Sequence, residues 1–267
     1  MTKTIPVSVA VPAFNCDKTI EKCISSINCG SQIPSEIIVS YDKSTDKTFE
    51  KLTNLLTHYD NVVIVINDLP NGAAANRNNA LAQCKNEVLT HVDADDTICK
   101  LKLEKEFSQI VNGQQVAFSD YQIVSKSFKP GCRVAFKRLS LEMNNNTLTV
   151  HDFLNRTYGV PRDLMFLRET WKEVGSFDTK LKMYEDLDFK IRLFLKDKNW
   201  AYTGVAGTNY IQDKRSLSRS CSVLKTESMS SLKSKYIPKN SSHKRCSASL
   251  IEKSVSGYYL TKFGIKS

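Results

Sequence analysis

Short apolar runs alternate with longer amphipathic stretches through the first 120 or so residues, and their periods tell the two apart. Ile5 to Pro12 holds Val7, Val9 and Val11, a β-branched run that predicts a buried strand. Ala13-Phe14-Asn15 turns the chain. From Asp17, a residue suited to capping a helix, to about Cys29, the apolar residues Ile20, Cys23, Ile24 and Ile27 fall on one helical face, and Gly30 stops it. Glu36 to Tyr41 predicts a second strand. Thr45 or Asp46 opens a helix carrying Phe49, Leu52, Leu55 and Leu56. Asn61 to Ile66 predicts a third strand, and Pro70-Asn71-Gly72 leads into a helix from Ala73 to about Cys84. Glu87 to Val92 is a fourth strand. A helix over 100–111, with Leu101, Leu103, Phe107 and Ile110, precedes a short fifth strand at Val116 to Phe118. Strands alternating with helices in this way predict an α/β fold with a mostly parallel sheet covered on both faces.

The second half is less regular. Residues 120–150 read as polar and loop-rich, with a basic segment of Lys126, Lys129, Arg133, Lys137 and Arg138. Pro161 to Leu167 predicts a strand, and Glu169 to Val174 a short helix closed by Gly175. Tyr184-Glu185-Asp186-Leu187-Asp188 opens a helix expected to turn Leu187, Ile191, Phe194 and Leu195 inward.

Composition narrows the class. At 41% hydrophobic and 25% charged, the 267 residues suit a soluble globular protein. The longest stretch without a charge, Asn199 to Gln212, is too short and too rich in Gly, Thr and Asn to span a bilayer. The N-terminus runs straight into a strand without a cleavage pattern, so a cytoplasmic location is expected. Eight cysteines without a Cys-x-x-Cys then read as reduced thiols, most of them filling core space. The net charge of +10 is uneven, since the last 43 residues carry nine Lys or Arg against Glu227 and Glu252. Such a tail suits an anionic membrane face, nucleic acid or plain solvent.

Ligands of such sheets bind at the carboxyl ends of the strands. Three polar clusters sit there: Asn15-Cys16-Asp17, Asp42-Lys43-Ser44 and Asp93-Ala94-Asp95-Asp96. Three carboxylates within four residues repel one another unless a cation lies between them, and oxygen ligands suit Mg²⁺ or Mn²⁺. A solvated acidic turn is the other reading. The acids at 185–188 complement a helix N-terminus and equally suit a general base.

VAVPAFN (9–15), EIIVSYDKSTDKT (36–48), NGAAANRNNAL (71–81), HVDADD (91–96) and YEDLDFKIRL (184–193) together resemble the family 2 glycosyltransferases, which have the GT-A fold. The likeness runs from residue 5 to about 220. It implies a Rossmann-like central sheet flanked by helices over 1–220, with a nucleotide-sugar half (1–119) and an acceptor half (120–220). A small helical and basic appendage fills 221–267.

The resemblance further implies an inverting, metal-dependent, hexosyltransferase-type enzyme. It would move a sugar from a nucleotide diphosphate donor, a UDP-sugar above others, to a hydroxyl of a saccharide or lipid-linked saccharide. The setting would be surface polysaccharide or lipopolysaccharide synthesis, in the cytoplasm or peripherally on the inner membrane face. By position, Pro12 and Asn15 lie beside the nucleotide, and Asp42 is similar to the acid that bonds the base. Arg77 is similar to an arginine near the donor, Asp93 and Asp95 to the Asp-x-Asp of ribose and metal (Mn²⁺ or Mg²⁺), and Asp96 extends that motif. Asp186 matches the catalytic base. Tyr210 to Ser218 looks like the flexible loop over the diphosphate, where Lys214 or Arg215 would meet phosphate charge. Two departures stand out: Tyr41 where the family usually has a second acid, and Lys43 where glycine is common. A sugar nucleotidyltransferase is disfavoured by the absence of a glycine-rich loop after the first strand. A non-catalytic nucleic-acid-binding protein is disfavoured because the chain shows no basic-aromatic interleaving or zinc-finger spacing.

Overall fold

A computed structural model describes residues 3–67, 72–124, 132–211 and 222–237. The chain separates into two compact units, Met1–Ser220 and Cys221–Ser267. In the first, strands β1 (Lys3–Ala13), β2 (Gln32–Asp42), β3 (Val62–Asn67), β4 (Val88–His91), β5 (Thr97–Ile98), β6 (Val116–Val124), β7 (Cys132–Val134), β8 (Leu164–Leu167) and β9 (Trp200–Ile211) build one mixed sheet. Its order is β3-β2-β1-β4-β8-β6-β9-β5, with β7 on β6.

The first four strands are parallel, as their intervening helices require. Val9 lies opposite Ile37 on one side and Thr90 on the other. Helices α1 (Ile20–Asn28), α2 (Thr48–Leu56), α3 (Gly72–Gln83) and α4 (Lys102–Val111) alternate with them. The four apolar residues of α1 are fully buried in a core with Val7, Val9, Val11, Ile37, Val39, Leu52, Leu103 and Met165. Asp17 does not cap α1, whose N-cap is Thr19, its hydroxyl donating back to the Cys16 carbonyl rather than accepting from the helix. Instead the Asp17 N–H donates to Asp46, which also accepts from the Thr48 N–H at 3.0 Å at the start of α2.

Beyond β4 the direction reverses. Strand β8 is antiparallel to both β4 and β6, and β6 pairs in parallel with β9. The described residues 120–124 and 132–150 hold more regular structure than their polarity suggests: the second half of β6, β7, α5 (Lys137–Asn144) and the start of α6 (Val150–Asn155). Asp120 explains the mismatch. It is buried in β6, yet its carboxylate accepts from Arg133 and from the Phe136 N–H at 2.9 Å. A satisfied buried acid looks like a loop residue when only its polarity is read. Likewise Lys102 and Glu106, rather than Leu101, face inward from α4. They pair at 2.7 Å, and Ser119 donates to the same carboxylate.

Helix α7 (Arg168–Val174) ends at Gly175, whose φ of +86° suits glycine. Arg192 of α8 (Glu185–Leu195) ties that end down by donating to the carbonyls of Val174, Gly175 and Ser176. Leu195, expected inward, is exposed, and Leu193 is buried in its place. Tyr210 and Ile211 belong to β9, and 212–220, including Lys214 and Arg215, lie outside the described residues. In the second unit, α9 (Ser222–Tyr236) carries Lys233 and Lys235 in its last turn. Cys16, Cys23 and Cys84 are buried free thiols, Cys99 and Cys132 are half-buried and Cys29 is exposed.

Candidate active site

The carboxyl ends of β1, β2 and β3 are closed by side-chain amides. Asn15, at φ 46°, sits in the left-handed region that asparagine tolerates. Its Oδ1 accepts from the Thr45 N–H at 2.9 Å, and its own N–H donates to Ser44 Oγ at 3.0 Å, fixing the β1 turn to the loop after β2. Asn67, at the end of β3, donates to Asp42 Oδ1 at 2.8 Å, and Asn76 of α3 donates to the Ala13 carbonyl at 3.3 Å. Asp42 is thereby buried, and Pro12 lies half-buried opposite Ser40.

Strand β4 carries the acidic cluster into the same edge. Its pairing with β1 continues one residue past His91, through the Val92 N–H to the Ala10 carbonyl at 3.0 Å. Asp93, Asp95 and Asp96 follow in a tight turn, and oxygens of the three approach within 4.8 Å of one another. Two guanidinium groups answer that charge. Arg77 of α3 donates to Asp93 Oδ1 at 2.8 Å. Arg162, just before β8, donates to Asp96 Oδ2 at 2.7 Å and to Asp93 Oδ2 at 3.3 Å. Burial alone would raise the Asp93 pKa, but the two cations outweigh it and bring it down to about 2. Asp95 goes the other way, to about 6, first because the protein packed around it disfavours charge although its side chain reaches solvent, and then because Asp93 repels its charge. Asp96 turns inward, where the Ile211 N–H also donates to it at 2.9 Å.

These three acids differ in availability. Asp95 is exposed and has no ion-pair partner among the described residues, whereas Asp93 and Asp96 are held by arginines. A single free carboxylate with hard oxygen donors fits an Mg²⁺ or Mn²⁺ ion that takes its other ligands from phosphate and water.

Arg77 also reaches α8. Its second nitrogen donates to Glu185 Oε1 at 2.8 Å, so one buried guanidinium joins the acid after β4 to the first residue of α8. The ring of Phe177 lies 5.0 Å from it. Asp186 follows Glu185 and accepts from Lys190 at 2.7 Å. Packing at the helix end raises its pKa, but Lys190 and then Arg77 and Arg156 override this and hold the carboxyl well below the usual range. Tyr184, which precedes the helix, has φ 66°, and Arg156, which ends α6, has φ 53°. These two left-handed residues meet, the guanidinium 4.9 Å from the ring centre.

Arg77, Asp93, Asp95, Asp96 and Asp186 thus occupy one neighbourhood, and Pro12, Asn15 and Asp42 lie along the same sheet edge. Arg162, Arg156 and the Glu185 bridge escaped the sequence. A charged residue opening PRDLMFL reads as the solvated start of a strand, and nothing in spacing pairs residue 77 with 185.

Comparisons with known proteins agree with this fold. The sequence matches the glycosyl transferase family 2 model over residues 8–169. It is similar to glycosyltransferase AglE of Haloferax volcanii, 34% identical over 41% of this chain and 37% of that one. It resembles the poly(ribitol-phosphate) beta-glucosyltransferase of Bacillus spizizenii, 28% identical over 72% and 30%. It also resembles the Escherichia coli UDP-Glc:alpha-D-GlcNAc-diphosphoundecaprenol beta-1,3-glucosyltransferase WfgD, 27% identical over 50% and 53%. The chain therefore spans only about a third to a half of the length of these relatives. Among solved structures, S. aureus TarS 1-349 in complex with UDP-GlcNAc shares the fold, with a TM-score of 0.65 at 21% identity over 80% of this chain and 61% of that one. Since the family model covers well over half of its length, this chain belongs to glycosyl transferase family 2.

Proposed function

We propose that the protein transfers a sugar, with inversion, from a UDP-sugar to a hydroxyl of a saccharide or lipid-linked saccharide during surface polysaccharide synthesis. The observation that carries this reading is Arg77, which binds Asp93 and Glu185 at 2.8 Å each and so holds the donor-side acids beside the acids of α8. Residues 1–119 form the nucleotide half and 120–220 the acceptor half. Pro12, Asn15 and Asp42 border the nucleoside, and Asp93 meets the ribose side of the donor. Asp95 would hold a divalent ion, whose charge would offset the negative charge gathered on the diphosphate. Arg215 belongs to the donor set through its charge alone. The names of relatives support the substrate class. The E. coli enzyme is described as using UDP-Glc and a diphosphoundecaprenol-linked acceptor, and TarS structures hold UDP and UDP-GlcNAc.

Asp186 acts as the base. Lys190 occupies its Oδ2, leaving Oδ1 for the acceptor proton. As the acceptor oxygen bonds to the anomeric carbon, its proton passes to Asp186 while the bond from that carbon to the diphosphate breaks on the opposite face. A carboxylate kept ionised takes the proton late, once the attacking oxygen has become acidic. Such a base contributes roughly 10²–10⁴-fold to the rate. Asp186→Asn should lower kcat by about that factor and leave UDP affinity within about twofold. Full turnover of the variant with a true acceptor would overturn the assignment.

No helix among the described residues is long and apolar enough to cross a membrane. The basic residues after 221 supply a peripheral contact with anionic lipid instead.

A further inference from the structure

Arg162 stands where its charge competes with a metal ion. Its guanidinium lies between Asp93 Oδ2 at 3.3 Å and Asp96 Oδ2 at 2.7 Å, two of the three carboxylates whose oxygens fall within 4.8 Å of one another. The Tyr210 ring covers it, with the guanidinium carbon 3.8 Å from the ring centre. Its Nε is buried without a partner among the described residues, so the two acids and the ring are what hold it. A guanidinium caged in this way cannot swing aside cheaply, because leaving would strand Asp96, whose side chain is fully buried. Three converging carboxylates would otherwise form a tight oxygen cage for a hard dication. With Arg162 in place, only Asp95 is open, and a dication meets a fixed positive charge behind that single ligand.

We infer that Arg162 is a positioning residue that acts as a built-in cation of the acidic cluster. It keeps Asp93 and Asp96 from chelating a free divalent ion, so that the ion binds only together with a nucleoside diphosphate. The diphosphate supplies the oxygens and the negative charge that Arg162 has withdrawn. Metal and donor therefore enter as a unit, and the empty enzyme does not load adventitious metal. This inference rests on the assignment of Asp95 as the metal carboxylate.

The test measures Mn²⁺ binding directly, by the free-ion electron paramagnetic resonance signal, on the full chain with and without UDP and with no acceptor or turnover. The wild type should bind Mn²⁺ weakly alone and more tightly with UDP. Arg162→Gln should bind Mn²⁺ alone at least about tenfold more tightly than the wild type and depend less on UDP, since a neighbouring positive charge has been removed. Arg162→Lys, which keeps the charge, should stay near the wild type. Unchanged or weaker Mn²⁺ affinity in Arg162→Gln would overturn the inference. Should that variant fail to fold because Asp96 is left unpaired, Arg162→Gln/Asp96→Asn is compared with Asp96→Asn alone. The double variant should bind Mn²⁺ more tightly than the single, and equal affinities would again reject the inference. Wild-type protein that takes up no Mn²⁺ even with UDP would instead remove the metal assignment of Asp95.

Discussion

Replacing Arg77 with Met keeps much of the side-chain volume and deletes the charge that joins the two acidic groups. The guanidinium is almost completely buried, with a side-chain exposure of 6%, and Glu185 is 11% exposed. Breaking one side of a buried pair costs about 3–5 kcal/mol, most of it the uncompensated carboxylate left behind. Asp93 adds less, because it is partly exposed and retains Arg162. For a domain of this size each kcal/mol moves the melting temperature by roughly 2–4 °C, so a fall of roughly 6–20 °C is expected. The sign with pH is fixed by Glu185. Its folded pKa lies above its ordinary value, through burial that Arg77 only partly offsets. A carboxyl with a raised folded pKa costs stability above that pKa and returns it as pH falls through it. Without Arg77 the rise is larger, so the deficit of the variant should shrink as the pH is lowered toward the ordinary carboxylate range. Differential scanning fluorimetry in chelator, at several pH values, reads both effects. A melting temperature within about 2 °C of the wild type, or a deficit that does not shrink on acidification, would refute the account of Arg77 as a buried bridge.

Three further outcomes are expected. Asp95→Asn should lose most of the Mn²⁺-dependent gain in UDP affinity, at least about tenfold, while metal-free UDP binding in chelator is unchanged by calorimetry. Thr149→Ala removes a capping box in which Thr149 Oγ1 accepts from the Asp152 N–H at 3.3 Å and Asp152 accepts from the Thr149 N–H at 3.0 Å. It should cost about 1 kcal/mol in urea unfolding and leave UDP binding alone. Neutralising Lys233, Lys235, Lys244 and Arg245 to Gln should weaken sedimentation with phosphatidylserine vesicles by about 1 kcal/mol per charge, and high salt should abolish it in the parent.

The parts of the fold legible in the sequence are those where burial and polarity coincide. Strands β1 to β4 and helix α1 announce themselves because Val7, Val9, Val11, Ile20 and Ile24 are both apolar and buried. Strand β6 is legible only to Phe118, since Ser119 and Asp120 are polar and yet buried, each satisfied by a partner more than ten residues away. The strand Trp200–Ile211 hides for another reason: most of its residues are half-buried, with Gly204 exposed and Gly207 and Thr208 buried side by side, so no alternation emerges. The site divides in the same way. Asp93, Asp95, Asp96 and Asp186 are clustered in sequence and stand out. Arg77 stands out only through the family likeness, while Arg162 and Arg156 owe their importance to contacts made after the chain reverses direction.

That reversal has a consequence for how such a cleft diversifies. In an all-parallel sheet, every residue at the ligand edge comes from a loop that follows a strand. Because β8 runs against its neighbours, the segment leading into it, Pro161-Arg162-Asp163, arrives at that edge from the other direction. A substitution there would change the charge beside Asp93 and Asp96 without altering any of the loops that follow the first four strands. Under the proposed function, the fixed positive charge of Arg162 and the acids it opposes thereby lie on separately variable stretches of the chain.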